Sequence, residues 1–155
     1  PVEIDVIVKC PLSVLFVEIP SPGDSPDQPA DSDVSRTYLL RLVDAGLAYA
    51  ESRSRTRRTA VGFSLLVLAR DAATEEAWAR ALKALTRSEG RLRRSLPHRG
   101  DFDPAALIGN LGIAPWTSLG ALLTGLRRAA SDPLEIALLD RLLRREKFSA
   151  SPAAR

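Results

Sequence analysis

Apolar and acidic positions alternate at the start of the chain, where Val2, Ile4, Val6 and Val8 are interleaved with Glu3 and Asp5. A period of two predicts a strand with one wet face over Val2 to Val8. Lys9, Cys10 and Pro11 then lead into Leu12 to Ile19, rich in β-branched and aromatic residues, and the short connection predicts a hairpin or a bent continuation. From Pro20 to Asp33 prolines and aspartates dominate, which predicts a flexible loop, 20–33, in which neither helix nor strand is expected.

The period changes to that of a helix from Val34 to about Ser52, with Leu39, Leu42, Val43 and Leu47 in phase and Asp31, Ser32 and Asp33 as candidate caps. Arg53, Arg55, Arg57 and Arg58 follow, and then a nearly unbroken apolar run from Ala60 to Leu68 that suits a central strand buried on both faces. The next helix is expected to start at Thr74, with Glu75 and Glu76 in its first turn, where the helix dipole favours acids. At 100° per residue, Trp78, Leu82, Leu85, Leu92 and Leu96 share one stripe, and Arg80, Lys83, Arg87, Arg91 and Arg94 share the opposite one.

Beyond Pro97 the signals are for shorter helices. Asp103 and Pro104 read as a cap and first helical residue, with Gly109 or Gly112 as the end. A second helix begins near Thr117 or Ser118, and a third at Asp132 and Pro133. The fold expected is α+β: a small mixed or antiparallel sheet of about three strands, packed by two long helices, with a helical C-terminal third. A single domain is expected over 1–148, of which 101–148 is the helical subregion and 149–155 a frayed tail.

A composition with 45% apolar and 26% charged residues is that of a folding chain rather than a disordered one. No apolar run approaches the roughly 20 residues of a membrane span. Cys10 is the sole cysteine, so no intrachain disulfide forms and a cytoplasmic location is expected. The net charge of +3 conceals a polarity: residues 1–33 carry seven acids against Lys9, whereas residues 51–99 carry twelve Lys and Arg against five acids. Such a field steers an anionic partner or lets the two parts attract one another.

No motif for catalysis, metal or nucleotide stands out, and no cofactor is expected. Cys10 and His98 are each unique, and a thiol nucleophile needs a base beside it. Asp101 and Asp103 open a cation-loop pattern that Ala, Leu and Ile then fail to continue. A terminal Pro1 ahead of a strand is similar to the tautomerase superfamily, in which the terminal amine is the base, but the likeness stops at that residue. From Val34 to Pro115 the order helix, Arg-flanked apolar strand, acid-started helix and short helix resembles the N-terminal domains of ATPases in conjugative type IV secretion; the resemblance implies an assembly domain without the ATPase site.

The function expected is therefore a non-catalytic protein-protein interaction or assembly module with a basic helix face. A protein partner or self-association would use that face together with apolar Leu119, Leu122, Leu126, Leu139 and Leu143. The alternative is electrostatic, sequence-independent nucleic-acid binding through Arg80, Lys83, Arg87, Arg91 and Arg94, supported by Arg53, Arg55, Arg57 and Arg58.

Overall fold

The computed structural model describes residues 4–21, 24–27, 29–30, 33–100 and 102–145. Two compact units emerge, Pro1–Ala114 and Pro115–Arg155. The first is built on a mixed four-stranded sheet of order β1-β2-β5-β6, and the class is α+β. Strands β1 (Val6–Lys9) and β2 (Ser13–Glu18) form an antiparallel hairpin, closed by the Cys10 amide donating to the Ser13 carbonyl at 2.9 Å. The chain then pairs β3 (Pro29–Ala30) with β4 (Asp33–Thr37) and enters helix α1 (Tyr38–Arg57), which returns it so that β5 (Gly62–Ala69) lies parallel to β2. Helices α2 (Ala72–Leu85), α3 (Glu89–Ser95) and α4 (Pro104–Gly109) follow, and β6 (Leu111–Pro115) completes the sheet beside β5.

The core lies on one face of that sheet. Val14, Phe16, Phe63, Leu65 and Val67 point from β2 and β5 into a cluster with Leu39, Leu42 and Val43 of α1, Trp78 and Leu82 of α2, Leu92 of α3, and Leu107 of α4. Helix α1 approaches the sheet closely because it carries Gly46 over Phe63: a methyl group there would lie 2.0 Å from Cε2 of the ring. Phe63 in turn meets Phe16 edge-on, with centroids 5.3 Å apart. Parallel pairing with β2, a largely apolar β5 and its place between β2 and β6 agree with the expectation for a central strand.

Several boundaries differ from those read in the sequence, each for a local reason. Val34 belongs to β4, and α1 begins at Tyr38, because Thr37 is extended and its hydroxyl accepts from the Leu40 amide. Helix α1 also runs on through Arg53, Arg55 and Arg57, ending where Arg58 takes a left-handed conformation with φ 54°. The Pro/Asp stretch is more structured than its composition suggests: Pro20 and Pro26 are fully buried, and the Pro26 carbonyl accepts from the Leu39 amide. Asp71, not Thr74, caps α2; its carboxylate accepts from the Thr74 amide at 2.8 Å and from the Thr74 hydroxyl at 2.9 Å.

The helix expected from Thr74 to Leu96 is two helices. Thr86 closes α2 by donating its amide to the Leu82 carbonyl, and Ser88 recaps the chain by accepting from the Arg91 amide. Trp78, Leu82, Leu92 and Leu96 nonetheless all reach the core, and Leu85 is half-buried. The sheet has four strands rather than about three because Leu111–Pro115, short and set between Gly109 and Trp116, pairs as β6. In the second unit, α5 (Trp116–Ala129) and α6 (Pro133–Arg145) pack together and are tied by Arg127 Nε to Asp140 at 2.7 Å. No described helix is long and apolar enough to cross a membrane.

Candidate functional site

Among the described residues of the first unit, a cleft and a bare sheet edge each combine access with organised polar or apolar groups. The cleft, of about 690 Å³, is bordered by α1, the start of β5 and the segment from His98 to Asn110. Its inner wall is apolar, with Leu47, Val61, Phe63 and Leu107, and its rim carries Glu51, His98, Arg99 and Asp103. Asp44 and Glu51 face the rim from α1. Asp44 Oδ1 accepts from Arg99 Nε at 2.6 Å and lies 2.8 Å from His98 Nε2, while Arg99 also reaches Glu51 at 3.3 Å and the Asp44 carbonyl at 3.3 Å.

Partial burial pushes the Asp44 carboxyl up, but the hydrogen bonds from Arg99 and His98 outweigh it and hold the group below the usual carboxylate range. Glu51 is held low first by its hydrogen bond and charge pairing with Arg55. With both carboxylates committed to Arg99, the cluster fastens the His98–Arg99 segment onto α1. The neighbouring hydroxyl is equally committed: Ser54 Oγ donates to the Ala50 carbonyl and accepts from the Val61 amide, so it joins α1 to the entry of β5. The cleft is thus a clamp with an apolar floor.

The bare edge is strand β1. It ends the sheet, so its outer edge has no strand partner among the described residues. Val6, Ile7 and Val8 are 44%, 38% and 42% exposed, and Leu12 at the turn is 63% exposed. Because the Cys10 amide points to β2, the two-residue alternation turns the backbone groups of Val6 and Val8 inward and those of Ile7 and Lys9 outward. Ile7 lies opposite Phe16 and Lys9 sits over the Tyr49 ring at 5.6 Å, which places both on the core side of the strand.

A buried polar pair lies at the C-terminal end of β2. Glu18, only 5% exposed, accepts from the Tyr38 hydroxyl at 2.8 Å. Burial first, and then the hydrogen bond and charge of Glu18, push the Tyr38 phenol above its ordinary range. Trp78 meets the Tyr38 ring edge-on at 6.0 Å and Arg41 stacks on it at 5.6 Å, so the pair is enclosed by packing.

The residues singled out from the sequence do not converge on one site. Arg80 and Lys83 lie exposed on α2, Arg91 and Arg94 exposed on α3, and Arg87 exposed in the break between, with Arg80 bonded to Glu76 at 2.6 Å. Arg55 bonds to Glu51, Arg57 donates to the Pro11 carbonyl at 2.9 Å, and Arg53 is half-buried on α1. Leu139 is buried and Leu119 half-buried, so neither is presented openly to solvent; the side chains of Leu122, Leu126 and Leu143 lie outside those described.

Cys10 is exposed at the hairpin turn and does not line the cleft that His98 borders. Asp103 is spent as the cap of α4, accepting from the Ala105 and Ala106 amides, while Asp101 and Pro1 lie outside the described residues. Among the described residues no group of three or more His, Cys, Asp and Glu side chains could hold a metal ion. The open edge of β1 carried no motif; its only signal was an alternating strand rich in valine. No family model matches the chain, and no curated protein or solved structure matches it significantly.

Proposed function

We propose that the chain is a non-catalytic interaction module that binds a protein partner by adding an extended strand to the outer edge of β1. The observation that carries this reading is three consecutive apolar residues, Val6, Ile7 and Val8, lying exposed on an edge strand. Edge strands of proteins that stay solitary are blunted by inward charges, prolines or bulges. Strand β1 is short and ends in a charge at Lys9, but Val6–Val8 itself carries no charge, proline or bulge, and its register with β2 is unbroken. An incoming strand gains backbone bonds from Ile7 and Lys9 and covers apolar side chains on both faces, which is how extended peptides are recognised by sheet edges.

The test is selection from a library of extended nine-residue peptides, followed by amide chemical-shift mapping on the full chain. Enriched peptides should perturb the Ile7 and Lys9 amides, and Ile7→Pro, which removes an outward donor, should weaken them at least tenfold. Peptides that map elsewhere, or binding indifferent to Ile7→Pro, overturn the reading.

A second reading draws on the exposure of all five cations of Arg80, Lys83, Arg87, Arg91 and Arg94. It is electrostatic binding of nucleic acid, and it predicts an affinity for a labelled oligonucleotide that falls steeply with salt. If charge reversal at Arg87 and Arg91 changes neither affinity nor salt slope, this reading is lost.

A further inference from the structure

We infer that the strand received by β1 is the β1 of a second copy of this chain, antiparallel and centred on Ile7. The inference rests on the reading of β1 as a docking edge and names its occupant. Strands that pair edge to edge must match outward-facing residues with outward-facing residues, and here those are Asp5, Ile7 and Lys9 by alternation from the Cys10 amide. Centring on Ile7 sets Ile7 opposite itself, Val6 opposite Val8, and Asp5 opposite Lys9 of the other copy. The two Ile7 residues then exchange both backbone bonds, and each Asp5–Lys9 pair is an attraction repeated by the two-fold symmetry.

The neighbouring registers are worse for identifiable reasons. Sliding by one permitted step places either Asp5 or Lys9 against Ile7, so a charge faces an apolar side chain. Sliding by two places Asp5 against Asp5 or Lys9 against Lys9, and like charges directly opposite are destabilising. The Ile7-centred register alone joins apolar to apolar and acid to base along the whole strand. In it Asp5, Ile7 and Lys9 share the core side, where Lys9 already lies over Tyr49. The Asp5 carboxylate is held near the strand by accepting from the Ile19 amide at 2.8 Å.

The natural cysteine is removed and single cysteines are introduced in a Cys10→Ser background, each oxidised with glutathione disulfide. Ile7→Cys should give a disulfide-linked dimer, because residues opposite one another at a hydrogen-bonded position have Cα atoms about 5.5 Å apart. Val8→Cys alone should not, since it faces Val6, whereas mixed Val6→Cys and Val8→Cys chains should cross-link. Sedimentation of the full chain should show concentration-dependent dimers that Asp5→Lys or Lys9→Asp alone weakens about tenfold, while the double variant D5K/K9D recovers most of the affinity. Equal cross-linking at Ile7→Cys and Val8→Cys, or charge effects that the double variant fails to repair, overturn the inference. A chain that stays monomeric at millimolar concentration while selected peptides still map to Ile7 and Lys9 sinks this inference and leaves the docking edge standing; loss of both sinks the reading as well.

Discussion

Replacing Gly46 with alanine tests whether the contact of α1 with β5 is as close as the structure shows. On helix propensity alone the change should stabilise α1 by about 1 kcal/mol. The added methyl, however, falls 2.0 Å from Cε2, 2.1 Å from Cζ and 2.6 Å from Cδ2 of Phe63, so the ring must retreat by more than an ångström to reach ordinary contact at 3.4 Å. Phe63 is 5% exposed and backed edge-on by Phe16, so the ring has little room to turn aside. Overpacking of this kind costs about 1–3 kcal/mol, at the upper end where neighbours are rigid, which outweighs the propensity gain and leaves a net loss of about 2 kcal/mol.

Phe63→Leu removes the ring atoms that clash and should cost about 1–2 kcal/mol alone. In the double variant the methyl occupies space the ring has vacated. Gly46→Ala should therefore be nearly neutral in the Phe63→Leu background, a coupling of about 2 kcal/mol. Urea unfolding followed by the fluorescence of buried Trp78 provides the measurement, in a Trp116→Phe background that removes the tryptophan of the second unit. A Gly46→Ala chain as stable as its parent, or strictly additive effects in the double variant, would refute the close approach.

Three further outcomes follow from groups described above. Tyr38→Phe leaves Glu18 buried without its phenol donor and should cost about 1.5–3 kcal/mol by urea unfolding near neutral pH. Since the folded Tyr38 phenol is raised, its contribution is whole below the ordinary tyrosine range and fades as pH rises through the folded value; a wild-type advantage that grows in strong alkali would contradict this. Asp44→Asn should cost about 1–2 kcal/mol at pH 7, and because the Asp44 carboxyl is depressed in the folded state, the difference from wild type should be whole above the ordinary carboxylate range and shrink as pH falls through that range toward the depressed folded value. Ser88→Ala removes the cap that restarts the helix after Thr86 and should cost about 1 kcal/mol, with amide exchange quickening first at Arg91.

Much of the first unit was legible in the alternation of residue types. The hydrophobic period located β2, β5 and the buried stripe of Trp78, Leu82, Leu92 and Leu96 because burial is what that period records. It could not place the helix ends, since several residues competed as caps: Asp31, Ser32 and Asp33 stand before Thr37, and Asp71 stands before Thr74. Nor could it see that Ser88, in the middle of an apolar stripe, interrupts the helix with a hydroxyl.

The clusters were the least visible part, because their members are remote in sequence. Arg99 meets Asp44 across 55 positions, and Tyr38 meets Glu18 across 20, and neither pairing leaves a local signature. Gly46 leaves no sequence signal either, because its closeness to Phe63 exists only where β5 lies beneath the helix. The edge of β1 was hidden for a different reason. Alternation predicts a wet face and a dry face, but only the strand order reveals that β1 lies outermost, with its apolar residues in solvent on both sides.

The parallel junction of β2 with β5 also sets an order of events during synthesis. The β1–β2 hairpin joins residues near in sequence, whereas Ser13 cannot meet Gly62 until α1 and the first residues of β5 have been added. Until then Val14 and Phe16 lack the β5 and α1 neighbours that bury them in the finished core. Apolar surface left open in this way is what makes an incomplete chain prone to misassembly, so the late arrival of β5 is the step that protects this core.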